Sequence, residues 1–167
     1  MRKNSIVLIG MPGAGKTTMA PLLADKLGWG FIDIDDNIES TASKSCQEIV
    51  NQHGYLYFLN LEENELISIK EANHVIATGG SAIYSHAGMS HLRSIGTVVF
   101  MQISFADLLK RKLDLENRGI ASKMGQSFHA TYSERQPLYQ KYADHTVDCS
   151  KKSRAQVLLA ILQMIEG

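Results

Sequence analysis

Hydrophobic positions along the chain follow two alternating rhythms. Short apolar runs at Ser5–Ile9, 31–34, His74–Ala77, 97–102 and 145–147 have the length and composition of strands. Between them, apolar residues recur every three or four positions, the period of a helix with one buried face. Lys16–Leu27 places Met19, Leu22, Leu23 and Leu27 in that spacing and stops at Gly28-Trp29-Gly30. Residues 36–53 carry two short helical stretches, and 57–72 a longer one with Leu61, Glu62, Glu65, Leu66 and Ile69 in period. Ser104 caps a helix reaching Leu113, residues 134–142 read as helix, and so do residues 153–165, with Val157, Leu158, Ile161, Leu162 and Ile165. Strand–helix alternation predicts an α/β fold with a largely parallel sheet. Right-handed crossovers should cover both faces, and ligands should bind at the carboxyl ends of the strands.

One segment breaks the rhythm. Residues 116–131, ENRGIASKMGQSFHAT, combine two glycines with small polar residues and weak periodicity. So long a stretch in a compact domain predicts a lid or binding loop, set at about residues 114–131; a plain surface loop is the alternative. No repeat, linker or low-complexity tract divides the chain, so residues 1–167 are expected to form one domain.

Composition narrows the function classes. Lys plus Arg and Asp plus Glu are both 17, so net charge is zero and nucleic acid is not an expected partner. Cys46 and Cys149 lack a metal-ligand spacing and read as free thiols of a reducing compartment. Arg2 and Lys3 precede only a short apolar stretch, unlike a signal peptide. No apolar run approaches the roughly 20 residues of a membrane span. A soluble, cytoplasmic, monomeric protein is expected.

The chemistry begins at residues 10–17, GMPGAGKT, between a strand and a helix. This is the G-x-x-x-x-G-K-[ST] phosphate-binding loop in its required setting. Backbone N–H groups around Gly13, Ala14 and Gly15, together with the helix start at Lys16, Thr17 and Thr18, can hold the phosphates of a nucleoside triphosphate. Lys16, expected on a surface loop, can reach the β- and γ-phosphates, and the Thr17 hydroxyl can ligate Mg²⁺. Asp33 and Asp35 end the second strand. Period-two alternation puts them on one side, where one could hold Mg²⁺ through water and the other accept a hydroxyl proton. The alternative is a helix start, with Asp35 or Asp36 as its cap. Thr78-Gly79-Gly80-Ser81 follows the third strand and permits close backbone approach to a ligand, or is simply a turn. Arg118 and Arg135 flank the irregular segment and suit phosphate or carboxylate recognition; either could instead be a solvated surface residue. Arg111 could stack on adenine.

These motifs together resemble the shikimate kinase family over nearly the whole chain. The phosphate loop, F-I-D-I-D-x-x-I-E at 31–39, A-T-G-G at 77–80 and E-R-x-P-L-Y at 134–139 occur in the family's order and approximate spacing. The resemblance implies a three-layer P-loop kinase fold with a five-stranded parallel sheet in order 2-3-1-4-5. It also implies an acceptor-binding region at about residues 35–62 and a mobile lid. By that resemblance Lys16 and Thr17 hold ATP and Mg²⁺, Asp33 assists the metal, and Asp35 binds acceptor hydroxyls and acts as base. Gly79 and Gly80 line the acceptor pocket, Arg118 reaches the phosphates, and Arg135 pairs with an acceptor carboxylate.

Three motifs depart from the pattern. The family's G-x-x-x-F-R-x-x-E keeps Gly54, Phe58 and Glu62 here but has Leu59 at the arginine. Ser81 replaces the third glycine of G-G-G, and the lid reads Arg118-Gly119-Ile120-Ala121 where R-P-L-L is usual. Losing one of two cations around a buried carboxylate costs on the order of 2–5 kcal/mol unless another cation substitutes, for instance Lys44 or Lys123. The expected activity is ATP-dependent phosphorylation of a small-molecule hydroxyl, with shikimate the default acceptor. The alternatives are another polyhydroxylated acceptor, or a nucleotide-binding regulatory protein without turnover.

Overall fold

The computed structural model describes residues 3–111 and 125–167. Five parallel strands, β1 (Ser5–Ile9), β2 (Gly30–Asp33), β3 (His74–Ala77), β4 (Gly96–Gln102) and β5 (His145–Asp148), form one sheet in the order β2-β3-β1-β4-β5. Every residue of the central strand β1 is buried, which explains its unbroken apolar run. Ile6, Val7 and Leu8 register with Val75, Ile76 and Ala77 on one side and with Thr97, Val98 and Val99 on the other.

The described helices are α1 (Lys16–Leu27), α2 (Ile34–Ala42), α3 (Cys46–His53), α4 (Tyr55–Ser68), α5 (His86–Ile95), α6 (Phe105–Lys110), α7 (Phe128–Tyr142) and α8 (Arg154–Glu166). The chain moves outward from β1 to β2 but in the opposite sense from β2 through β3 and β4 to β5. Right-handed crossovers therefore place α1 on one face and α2–α7 on the other. The packing agrees: α1 lies on β1, β2, β3 and α8, whereas α5 lies on β1, β4 and α4. Chain direction switches between the neighbouring strands β1 and β3, and the crevice at their carboxyl ends is where such folds bind ligands.

Several boundaries differ from expectation, each for a local reason. β2 ends at Asp33, and Ile34 already belongs to α2, because the Asp33 side chain accepts from the Asp36 N–H and caps the helix. Asp33 and Asp35 are therefore not two residues on one side of a strand: Asp33 is the cap, and Asp35 sits in the first helical turn. The helix expected at 57–72 runs Tyr55–Ser68. Helix α5 has no counterpart in the hydrophobic pattern, its buried stripe being only Gly88, Met89 and Leu92. Helix α7 starts at Phe128, so the end of the segment expected as a lid is helical. Phe128 and Tyr132 pack against Phe105, and the Tyr132 hydroxyl donates to the Ile103 carbonyl, tying that first turn to the region after β4. Residues 114–124 of the expected lid, including Arg118 and Lys123, lie outside the described residues.

Candidate active site

The loops after β1 and β3 and the start of α2 enclose a cavity of about 440 Å³. Lys16, Thr17, Asp33, Asp35, Gly80 and Arg135 all contribute to its wall. The phosphate loop enters α1 through Gly15, whose φ of 103° is closed to most side chains. That turn leaves the first N–H groups of α1 directed at the cavity.

Lys16 is not on a surface loop. It is the first residue of α1, buried, with Nζ donating to the Gly10 and Met11 carbonyls, the latter at 2.8 Å. Burial lowers its pKa to about 8, against the opposing pull of Asp35 and Asp33. Thr17 Oγ1 donates to Asp33 Oδ2 at 2.9 Å, so the end of the phosphate loop and the end of β2 are joined. Asp35 is pushed up to about 6, first by burial and then by the neighbouring Asp33 charge. A threonine hydroxyl beside a carboxylate is a hard-oxygen donor set, the chemistry that suits Mg²⁺ bound with phosphates and water.

Arg135 enters the cavity from α7 and is almost completely buried, at 1% exposure. Its guanidinium lies over the Tyr84 ring, 5.4 Å from the centroid. The neighbouring motif residues hold it there. Tyr84 donates to Glu134 Oε1 at 2.9 Å, and Tyr139 donates to the Gly80 carbonyl at 2.7 Å while stacking on Phe100. Three residues of the 134–139 motif thereby lock α7 to the loop after β3.

A second cavity of about 340 Å³ adjoins the outer side of the phosphate loop, walled by Ala14, Gly15, Thr18, Arg111, Lys152 and Arg154. Arg111 Nη1 donates to the Gly13 carbonyl at 2.9 Å, so this arginine touches the loop itself. Lys44 does not reach either cavity; it donates to Gln52 at an exposed position. Cys46 and Cys149 are buried free thiols, and burial with nearby Asp35 and Glu39 raises the Cys46 pKa.

Sequence reasoning gave no role to Glu62 or to the Ser81 hydroxyl. Glu62 is 1% exposed, accepts from Ser81 Oγ at 2.7 Å, and is pushed up to about 8 by burial and by Asp35. A signal was present: Phe58, Glu62 and Leu66 are four apart, so the acid falls on the buried stripe of α4.

The family model for shikimate kinase matches residues 12–166. The chain belongs to the shikimate kinase family. It is 35% identical over 148 residues to shikimate kinase 2 of Photorhabdus laumondii subsp. laumondii, covering 86% of this chain and 85% of that protein. It is 32% identical over 163 residues to the shikimate kinase of Caldanaerobacter subterraneus subsp. tengcongensis, covering 96% and 95%. Among solved structures, the shikimate kinase from Acinetobacter baumannii in complex with shikimate superposes with a TM-score of 0.89 at 29% identity, over 98% of this chain and 93% of that one. The shikimate kinase from Aquifex aeolicus gives 0.78 at 32% identity, over 98% and 96%. The expected fold, with sheet order 2-3-1-4-5, is the observed one. As a member of the shikimate kinase family the chain is an ATP-dependent small-molecule kinase, a class tied to aromatic amino acid biosynthesis. No described helix is long and apolar enough to cross a membrane.

Proposed function

We propose that the protein transfers the γ-phosphoryl group of ATP to a hydroxyl of shikimate, giving ADP and shikimate 3-phosphate, as a cytoplasmic monomer. The observation that carries this reading is the convergence of Lys16, Thr17, Asp33, Asp35 and Arg135 on one cavity at the β1–β3 crevice. The likeness to a shikimate kinase solved with shikimate supports the choice of acceptor.

In this mechanism the phosphate loop and Thr18 hold the triphosphate, with Arg111 at the nucleotide side. Lys16 Nζ exchanges its two backbone carbonyls for phosphate oxygens, whose negative charge keeps it protonated. Thr17 and Asp33 would hold Mg²⁺, which when bound offsets charge on the transferring phosphoryl group. Asp35 accepts the proton of the attacking hydroxyl as its oxygen bonds to the γ-phosphorus and the bond to the bridging oxygen breaks. Arg135 pairs with the acceptor carboxylate, while Gly79 and Gly80 let the backbone approach the acceptor. Residues of about 35–62 form the acceptor-binding region. The lid of about 114–131, with Arg118 reaching the phosphates, excludes water.

Leu59 favours a second reading, a different polyhydroxylated acceptor with a weaker need for carboxylate recognition. A coupled ADP-release assay across shikimate, quinate, dehydroshikimate and gluconate separates the possibilities. ADP formation with shikimate supports the first reading, and turnover with another compound alone supports the second. Nucleotide binding without ADP release from any of them leaves a regulatory binding protein.

A further inference from the structure

Helix α4 buries one acid, Glu62, on the stripe it shares with Phe58 and Leu66. Glu62 Oε1 accepts the Ser81 hydroxyl at 2.7 Å; Oε2 is fully buried and has no hydrogen-bond partner among the described residues. The same oxygen faces Gly79. A Cβ on that glycine would collide with both Glu62 Oε2 and Asp35 Oδ1, so the two carboxyl groups, one from α4 and one from α2, converge on the space a side chain would occupy.

We propose that Glu62, anchored by Ser81, is a positioning residue that orients the Asp35 carboxyl group across the gap at Gly79. The proposal rests on the reading of Asp35 as the group facing the acceptor hydroxyl. Its physical basis is the placement of one proton. Two ionised carboxylates cannot converge in a buried site without strong repulsion. Burial and the Asp35 charge raise Glu62 to about 8, so at neutral pH it keeps its proton. The Ser81 donation makes Oε1 the accepting atom, which leaves the proton on Oε2, the atom that shares the gap at Gly79 with Asp35 Oδ1. Glu62 is thus a donor across the gap from Asp35, placed to fix its orientation. The other charged or titratable groups facing Glu62 are Lys16 of α1, Cys46 of α3, Tyr55 of α4 itself, and Arg135 and Tyr139 of α7. Leu59, one turn earlier on α4, contributes no charge.

The test combines kinetics with direct titration of the whole protein. Wild type, E62Q and E62A are assayed with ATP and shikimate between about pH 6 and about pH 9. Wild-type kcat should fall as Glu62 loses its proton near pH 8. E62Q, whose amide donates at every pH, should lose that alkaline fall and keep kcat within about tenfold at neutral pH; E62A should lose about 10- to 100-fold with ATP affinity unchanged. An identical alkaline fall in E62Q would assign it to Lys16 and overturn the proposal, as would wild-type kcat in E62A. The side-chain carboxyl carbon of Glu62 is also followed by NMR in wild type and D35N, without acceptor. Removing the Asp35 charge should move the Glu62 titration to lower pH; an unmoved titration overturns the proposal. If wild type releases no ADP with shikimate, the proposed function fails, and the NMR result alone decides the role of Glu62.

Discussion

Thr17 Oγ1 donates to Asp33 Oδ2 at 2.9 Å, and the other oxygen of the same carboxylate caps α2 through the Asp36 N–H. One side chain therefore ties the end of the phosphate loop to the start of α2. The helix cap is Asp33, not Asp35 or Asp36 as the sequence offered, and under the proposed mechanism the same carboxylate would also hold Mg²⁺ with Thr17.

Asp33→Asn should consequently show two effects. The Mg²⁺ concentration for half-maximal turnover should rise severalfold or more, because a neutral amide is a poor partner for a hydrated cation. Stability should change little, since asparagine is as good a helix cap as aspartate. An unchanged Mg²⁺ dependence would remove Asp33 from the metal site. Asp35→Asn should instead cut kcat by roughly 10²-fold or more with ATP affinity retained. If both variants behave alike and mildly, Asp33 and Asp35 are structural only.

Lys16→Ala should abolish phosphoryl transfer, and more than about a tenth of wild-type turnover would contradict its assignment. Because Lys16 is buried and bonded to two carbonyls, truncation also leaves those acceptors unmatched. Lys16→Met fills the space more closely. If loss of turnover reflects lost charge, both variants should be inactive with circular dichroism and melting near wild type.

Much of this architecture was legible from the chain alone. The phosphate loop carries its meaning in glycine spacing, and the inner strands β1, β3 and β4 in apolar runs that the parallel sheet buries on both faces, while the edge strands β2 and β5 stay partly exposed. What escaped had a weak or misleading signal. Helix α5 contains two serines, two histidines and a glycine, and buries too few side chains for its period to stand out. The side on which Asp35 lies depended on a single boundary residue, since β2 yields to α2 at Ile34. Glu62 falls in the apolar period of α4, but its partners Ser81 and Asp35 lie on other elements and meet it only in the folded chain.

Leu59 gives a test of acceptor recognition. It lies one turn before Glu62 on α4 and is half-buried. With Arg135 as the cation reading the acceptor carboxylate, wild-type KM for shikimate should be high. Leu59→Arg should lower it by about tenfold or more if the pocket is otherwise family-like. An ordinary micromolar KM in wild type would mean that another cation fills the role; Lys44 is engaged with Gln52 and does not qualify. If the substitution changes nothing and shikimate is inert with both proteins, the acceptor is a different molecule.

The buried acid of α4 should also leave a thermodynamic trace that needs no substrate. Glu62 has a folded-state pKa raised from 4.5 to about 8, so folding takes up a proton wherever the unfolded chain is ionised and the folded one is not. Its contribution to stability is full below about pH 4.5 and is progressively lost as pH rises towards 8. Glu62→Gln removes that dependence. Denaturant titrations should show little difference between the two proteins near pH 5, and E62Q the more stable near pH 8, by several kcal/mol, on the order of 4 from the full shift. Equal stabilities at both values would mean that Glu62 is ionised in the folded protein.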